Sequence, residues 1–251
     1  MYMRDVKNMN KTYAFADVHG KYKLWEQIRD YCDETDTIYF LGDACDRGDD
    51  GLKIMKEILQ DKRVIYLKGN HEEFFETIGA ELVDEHFSST PLWGQNGGMQ
   101  TIADFCSLPE SSQLYYIRKI GALPIMARYV NKKGQIILLS HAGFTPGLEP
   151  NKEYDFLWDR IHLYHPWPLE EKYEDVYVVH GHTPVPYVAL EIGSKVEIDE
   201  YEIWEPLVYA NGHKIAIDVS SYTTGKVSLF DLDELKVAKN FYDKSTWAEV
   251  E

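Results

Sequence analysis

Cysteine, positive charge and long apolar runs are all scarce in this 251-residue chain, and each scarcity removes a class of function. The three cysteines, Cys32, Cys45 and Cys106, are odd in number and form no C-x-x-C pair, which speaks against a disulfide framework and a thiolate zinc site. Three free thiols are expected. Lysine and arginine number 26 against 42 acidic residues, a formal net charge of -16, so a nucleic acid or an anionic membrane surface meets no broad cationic footprint. A local cationic pocket is still compatible with that balance. No apolar run is long enough to span a bilayer, and the N-terminal MYMRDVKNMN lacks the apolar stretch of an export signal. The expectation is a cytoplasmic protein with no nucleic-acid and no membrane partner. Low-complexity linkers and internal repeats are also missing.

Hydrophobic residues make up 44% of the chain and aromatic residues 14%, enough to bury one substantial core. The reading is a single domain over 1–251 with an insertion at about 80–123. Thr12 to Ala16, Thr37 to Leu41 and Val64 to Leu67 are short β-branched or aromatic runs with little polar alternation, as in strands buried on both faces. Leu24, Trp25, Ile28 and Tyr31 recur at helical spacing between the first two, and Leu52, Met55, Ile58 and Leu59 between the next, which predicts a parallel βαβαβ unit.

The stretch around Ala80 to Leu123 carries WGQNGGMQT and predicts helices near Thr101 to Phe105 and Gln113 to Ile120, a helical cap. Beyond it, PIMARYV and QIILLS flank Asn131-Lys-Lys-Gly134, a hairpin signal, and the runs VYVV, EPLVYA, HKIAIDV and KVSLFDL follow. This order suits an α/β fold of two packed sheets flanked by helices, although strand pairing is not readable from it.

Polar clusters end the apolar runs: DVHG, GDACDRGD and GNHEE in the first half, then SHAG and HGHTP. Ligands in open α/β sheets collect beyond the carboxyl ends of strands, so these clusters point to one shared site. Asp17 and His19 are two apart and face the same way in an extended segment. Asp43, Asn70, His141 and His182 follow later runs in the same register. Taken singly, such an aspartate is more often a helix cap and such a histidine a satisfied polar residue. Independent capping does not explain a metal-competent donor after each of five runs. A mixed imidazole and carboxylate set suits manganese, iron or zinc better than calcium.

These motifs resemble the calcineurin-like metallophosphoesterases, in particular the branch of bacterial and phage Ser/Thr protein phosphatases related to diadenosine tetraphosphatases. The match is D-x-H-G at Asp17 to Gly20, G-D-x-x-D-R-G at Gly42 to Gly48, G-N-H-E at Gly69 to Glu72, H-A-G at His141 to Gly143 and G-H-T-P at Gly181 to Pro184. The resemblance implies a four-layer α/β/β/α sandwich and two divalent metal ions, manganese first, with iron or zinc as alternatives. Asp17, His19 and Asp43 would hold one ion, and Asp43, Asn70, His141 and His182 the other, with Asp43 bridging. Such a pair lowers the pKa of a bridging water toward neutrality, and the implied reaction is direct attack of that hydroxide on a phosphomonoester.

The resemblance further makes Arg47 and Arg160 phosphate clamps, His71 the general acid and Asp46 the carboxylate that orients it and keeps it protonated. Asp49 and Asp50 read as caps of the next helix. Cys45 reads as a small buried apolar residue in preference to a redox switch, His180 as an outer support, and His86, His162, His165 and His213 as non-ligands. Pro184 stands where many broader relatives carry another metal-binding histidine, which implies fewer protein ligands on the first ion.

The implied substrate is a phosphorylated protein or small phosphoester, with a dinucleoside polyphosphate such as diadenosine tetraphosphate as the alternative. Trp93, Asn96, Gly97 and Gly98 in the cap would set access. Symmetrically cleaving relatives tend to lack the second aspartate of G-D-x-x-D-R-G, and Asp46 is present. A nuclease is disfavoured by the acidic balance, and a non-catalytic scaffold by the completeness of the donor set.

Overall fold

The computed structural model describes residues 10–85, 88–147, 153–165, 167–168, 170–193 and 204–245. His86, most of the N-terminal stretch and the end of the tail lie outside them. The first half alternates β1 (Thr12–Phe15), α1 (Tyr22–Tyr31), β2 (Thr37–Phe40), α2 (Gly51–Ile58), β3 (Val64–Tyr66) and α3 (Asn70–Val83). Helices α4 (Thr90–Trp93), α5 (Met99–Ser107) and α6 (Glu110–Gly121) follow, the first two joined by the turn Gly94–Gly98. The second half holds β4 (Met126–Val130), β5 (Ile136–Ser140), α7 (Glu153–Trp158), β6 (Val176–His180), α8 (Val185–Glu191), β7 (Leu207–Tyr209), β8 (Lys214–Ala216), α9 (Ser221–Thr224), β9 (Lys226–Asp231) and β10 (Lys236–Tyr242).

Two five-stranded mixed sheets result among the described residues. Sheet A has the order β10-β9-β1-β2-β3 and sheet B the order β4-β5-β6-β8-β7. Strands β1, β2 and β3 are parallel, as the periodicity predicts, and so are β5, β6 and β8. The β4–β5 hairpin forms around Asn131 to Gly134. Strand β10 is the strand the sequence reading misses. Its outward residues are half exposed, so KVAKNFY lacks the continuous apolar run of a buried strand, and only pairing with β9 defines it.

Strand alternation explains the layers. Tyr13, Phe15, Ile38 and Phe40 point to the helices and build a core with Leu24, Trp25, Ile54, Met55 and Phe75. On the other face Ala14, Ala16, Tyr39 and Leu41 meet Ile137, Leu139, Val179 and Ile215 of sheet B. The large rings face helices, while two alanines let the second sheet approach. Truncating Phe15 to alanine in this fully buried position would cost about 3–5 kcal/mol. Helix α8 covers the outer face of sheet B through Val185 and Val188.

One capping expectation is corrected. Asp50 occupies the position before α2, but its side chain makes no capping bond; its backbone carbonyl accepts the Ile54 N–H instead. Cys32, Cys45 and Cys106 are free thiols, Cys45 fully buried in the loop after β2.

Candidate active site

The carboxyl ends of six parallel strands, three from each sheet, meet at one place. Asp17, Asp43 and Asn70 follow β1, β2 and β3; His141, His182 and Asp218 follow β5, β6 and β8. The loops are bonded to one another through backbone. Asp17 N–H donates to the Gly42 carbonyl (3.1 Å), His19 N–H to Asp43 (3.0 Å) and Gly181 N–H to His141 (2.9 Å).

Such tight turns force unusual backbone. Among the described residues, eleven non-glycine residues have positive φ, and Asp17, His19, Asp43, Asp46, Arg47 and His182 are six of them, between 40° and 67°. Each costs about 1–3 kcal/mol, a strain that concentrates where function over-determines the backbone. Two glycines are explained by the carboxylates beside them. A Cβ on Gly69 would fall 2.3 Å from Asp43 Oδ1, and one on Gly181 would fall 2.1 Å from Asp17 Oδ2.

The three imidazoles are oriented by carbonyls. His141 Nδ1 donates to the Leu41 carbonyl (2.7 Å), His19 Nδ1 to Cys45 (3.0 Å) and His182 Nε2 to Trp158 (3.2 Å). Burial holds all three pKa values below the ordinary histidine value, so the rings are neutral. The remaining nitrogen of each therefore presents a lone pair. His141 Nε2 faces Asn70 Oδ1 at 2.8 Å, His182 Nδ1 faces the same oxygen at 2.9 Å, and His19 Nε2 faces Asp43 Oδ2 at 3.5 Å. Nitrogen and oxygen donors thus converge at each contact, and such a set suits a transition-metal dication.

The carboxylates carry the same message. Burial and the nearby Asp218 and Asp43 push Asp17 well above the usual carboxylate range. Asp43 is central: its oxygens lie 3.5, 3.8 and 3.4 Å from nitrogens of His19, His71 and His141. Groups able to hold an ion form around Asp43 with His19 and His71, and around Asp43 with Asp17 and His141. The Asp17 carboxylate also accepts the His182 N–H (3.1 and 3.2 Å), a contact that links it to sheet B. Asp43 is common to both groups.

His71 stands apart from the other imidazoles. Its Nδ1 lies 2.6 Å from Asp46 Oδ2 and its Nε2 3.4 Å from Arg47 Nη2. Burial alone would lower its pKa, but the Asp43 and Asp46 carboxylates outweigh burial and raise it. Arg47 is mounted on this loop by its N–H, which donates to the Gly97 carbonyl (2.8 Å). Arg160 reaches in from the other side, its Nε donating to Thr183 Oγ1 (3.0 Å). All ten candidate residues thus come from the loops, and from the first turn of α3, at one end of the two sheets.

Four residues escape the sequence reading or change their part in it. Glu72 is fully buried and accepts from the N–H groups of Asp43, Ala44 and Gly69 and from the Tyr66 hydroxyl, at 2.7–2.8 Å, pinning the β2 loop to α3. Trp93, expected to control access, is buried and donates from Nε1 to Asp46 Oδ2 (2.8 Å). Asn96 is spent on the Leu92 carbonyl. Asp218 is buried, and burial pushes its pKa up to about 7, with Arg47 and Arg160 lowering it and Asp43 raising it. The signal for Asp218 was present, since HKIAIDV places an aspartate just past its apolar run, as Asp17 and Asp43 stand past theirs. His180 binds the Tyr209 hydroxyl (2.7 Å), and His162 and His213 pack on rings away from the donors.

A family profile described as calcineurin-like phosphoesterase matches residues 11–216. The chain belongs to the calcineurin-like phosphoesterase family. Members of this family use a dinuclear divalent metal centre, and the ligand groups around Asp43 are candidates for it. Over 145 residues the chain is 29% identical to the symmetrical bis(5'-nucleosyl)-tetraphosphatase of Buchnera aphidicola, 56% of this chain and 47% of that protein. It thus spans about half the length of that relative. Over 200 residues it is 26% identical to the asymmetrical bis(5'-nucleosyl)-tetraphosphatase PrpE of Oceanobacillus iheyensis, 68% of this chain and 76% of that protein. A solved structure of a candidate diadenosine tetraphosphatase superposes at a TM-score of 0.58 and 16% identity over 96% of both chains. A cold-active protein tyrosine phosphatase superposes at 0.53 and 15% identity over 92% of this chain and 75% of that one. At these identities the likeness is one of fold. No helix among the described residues is long and apolar enough to cross a membrane.

Proposed function

We propose that this calcineurin-like phosphoesterase hydrolyses phosphomonoesters, with phosphoserine and phosphothreonine side chains as the leading substrates. The observation that carries the reading is the buried His71–Asp46 pair beside Arg47, 2.6 Å between ring and carboxylate. An alkoxide is a poor leaving group and needs a proton in the transition state, and a histidine whose pKa is raised by carboxylates is built to give one. A nucleotide leaving through a phosphate oxygen needs that proton far less.

In this mechanism Asp17, His19 and Asp43 would hold one divalent ion and Asp43, Asn70, His141 and His182 the other, manganese being the first candidate. When bound, the ions supply a water of lowered pKa and neutralise the phosphoryl charge. Arg47 and Arg160 grip phosphoryl oxygens from opposite sides, a task suited to planar guanidinium forks. His71 Nε2 protonates the leaving oxygen, and Asp46 fixes the ring through Nδ1. Trp93 Nε1 holds Asp46 in turn.

A second reading, dinucleoside polyphosphate hydrolysis, is favoured by the names of the two curated relatives. The same residues would serve it, with a nucleotide in place of the alcohol. Manganese-loaded protein assayed side by side on a phosphoserine peptide, p-nitrophenyl phosphate and diadenosine tetraphosphate separates the two. Preference for the peptide is expected; preference for the dinucleotide would move the chain to the second reading.

A further inference from the structure

Lys214, on β8, is fully buried and lies on the side of sheet B away from Asp43 and the inter-sheet core. Its neighbour Ile215 points into that core, so Lys214 points into the outer layer. There Nζ donates to Thr145 Oγ1 and to the His162 carbonyl, both at 2.6 Å, and stands 5.8 Å from the centre of the Tyr209 ring. Among the described residues no carboxylate pairs with it, and burial lowers its pKa to about 8. An ammonium buried without a countercharge is expensive, and an apolar side chain of similar volume usually serves stability as well or better. The charge therefore calls for a use other than packing.

Both acceptors belong to the segment that carries Arg160. Thr145 sits four residues after His141, near the start of that segment, and His162 sits two residues beyond Arg160. Leu163 N–H donates to the Arg160 carbonyl (3.0 Å), so the turn Ile161–Leu163 and Arg160 move together. Thr145 Oγ1 also lies 3.4 Å from the His162 carbonyl, so one ammonium gathers both ends of the segment. At its far side the segment meets the site through Arg160 Nε on Thr183 and the Trp158 carbonyl on His182, and is braced by the Trp158 indole on Glu73 and the Phe156 carbonyl on the Ala142 N–H.

We infer that Lys214 is a positioning residue for the phosphate clamp: its ammonium ties Thr145 and the His162 carbonyl to β8 and so fixes where the Arg160 guanidinium stands. The inference rests on the reading of Arg160 as a clamp. It assigns to a residue remote from the metal ligands an effect on phosphate affinity. The backbone of β8, itself continuous with Asp218, becomes the reference frame for the substrate arginine.

The test is steady-state kinetics of the manganese-loaded full chain on p-nitrophenyl phosphate, with inorganic phosphate as inhibitor, for Lys214→Met, Arg160→Ala and the double variant. Lys214→Met should raise KM and the phosphate inhibition constant together by about tenfold, with kcat within about threefold and the metal content unchanged. In the Arg160→Ala background the same change should add less than about twofold, because two residues acting through one contact are not additive. An unchanged KM in Lys214→Met, or the same tenfold rise in both backgrounds, would overturn the inference. An unchanged KM in Arg160→Ala would instead overturn the clamp reading. Should Lys214→Met fail to fold, Thr145→Val removes one acceptor and should show the same split at about threefold; no change in KM there overturns the inference as well.

Discussion

Sheet A and sheet B deliver their halves of the site in different ways. The loops after β1, β2 and β3 are short and bonded directly to one another, and one carboxylate, Glu72, ties three of their backbone N–H groups together. Arg47 is part of that assembly, in strained backbone one residue from Asp46. Sheet B contributes His141 and His182 on equally tight turns, but its arginine is mounted on a separate segment, anchored through Lys214, Thr145 and Thr183. On the proposed roles, the acid and one phosphate contact sit in one tightly bonded unit, the metal ligands are shared between the two sheets, and the second phosphate contact stands on a separate segment. Substitutions in sheet A's loops should therefore damage chemistry, and those behind sheet B should damage affinity.

The sharpest way to break this comparison is Asp43→Asn, which removes the carboxylate shared by both ligand groups. Turnover should fall by at least about a thousandfold, with metal content dropping from two ions to one or none; a retained pair would reject the bridging assignment. Next, His71→Asn should cost about 10²–10³ on a phosphoserine peptide and far less on p-nitrophenyl phosphate, whose phenolate leaves unaided. Equal losses on both would remove His71 from the role of acid.

Asp46→Asn probes the same unit through pH. The acid must be protonated, so activity is lost as pH rises through the His71 pKa, which Asp46 helps to raise. Removing that carboxylate should shift the alkaline limb of kcat to lower pH, and an unmoved limb would contradict the pairing.

The smallest effect concerns sheet B. The folded pKa of Lys214 is lowered from 10.5 to about 8, so the unfolded chain binds more protons between those values and stability rises with pH across that window. Denaturant titrations from pH 8 to 10.5 should show wild type gaining on Lys214→Met. Parallel curves would mean that the amine is not held in a desolvated site.

Much of this was legible because the chemistry lies at the ends of continuous apolar runs. Asp17, Asp43, Asn70, His141 and His182 announce themselves by register, and β1 and β2 by burial on both faces, whereas β3 exposes Ile65. What stayed hidden depends on contacts between distant segments. Trp93 serves Asp46 across 47 residues of chain, and β10 exists through its pairing with β9. Lys214 reads as an ordinary strand lysine until its burial is known. Asp218 could have been found by applying the strand-end rule to HKIAIDV as it was applied to the earlier runs.

The central claim is that His141, His182 and His19 converge with Asn70 and Asp43 in order to hold cations. Calorimetric titration of chelator-stripped protein with manganese, followed by thermal melting, tests it most directly. Binding of two ions per chain with a rise in Tm is predicted. No saturable binding, or binding that leaves Tm unchanged, would contradict it.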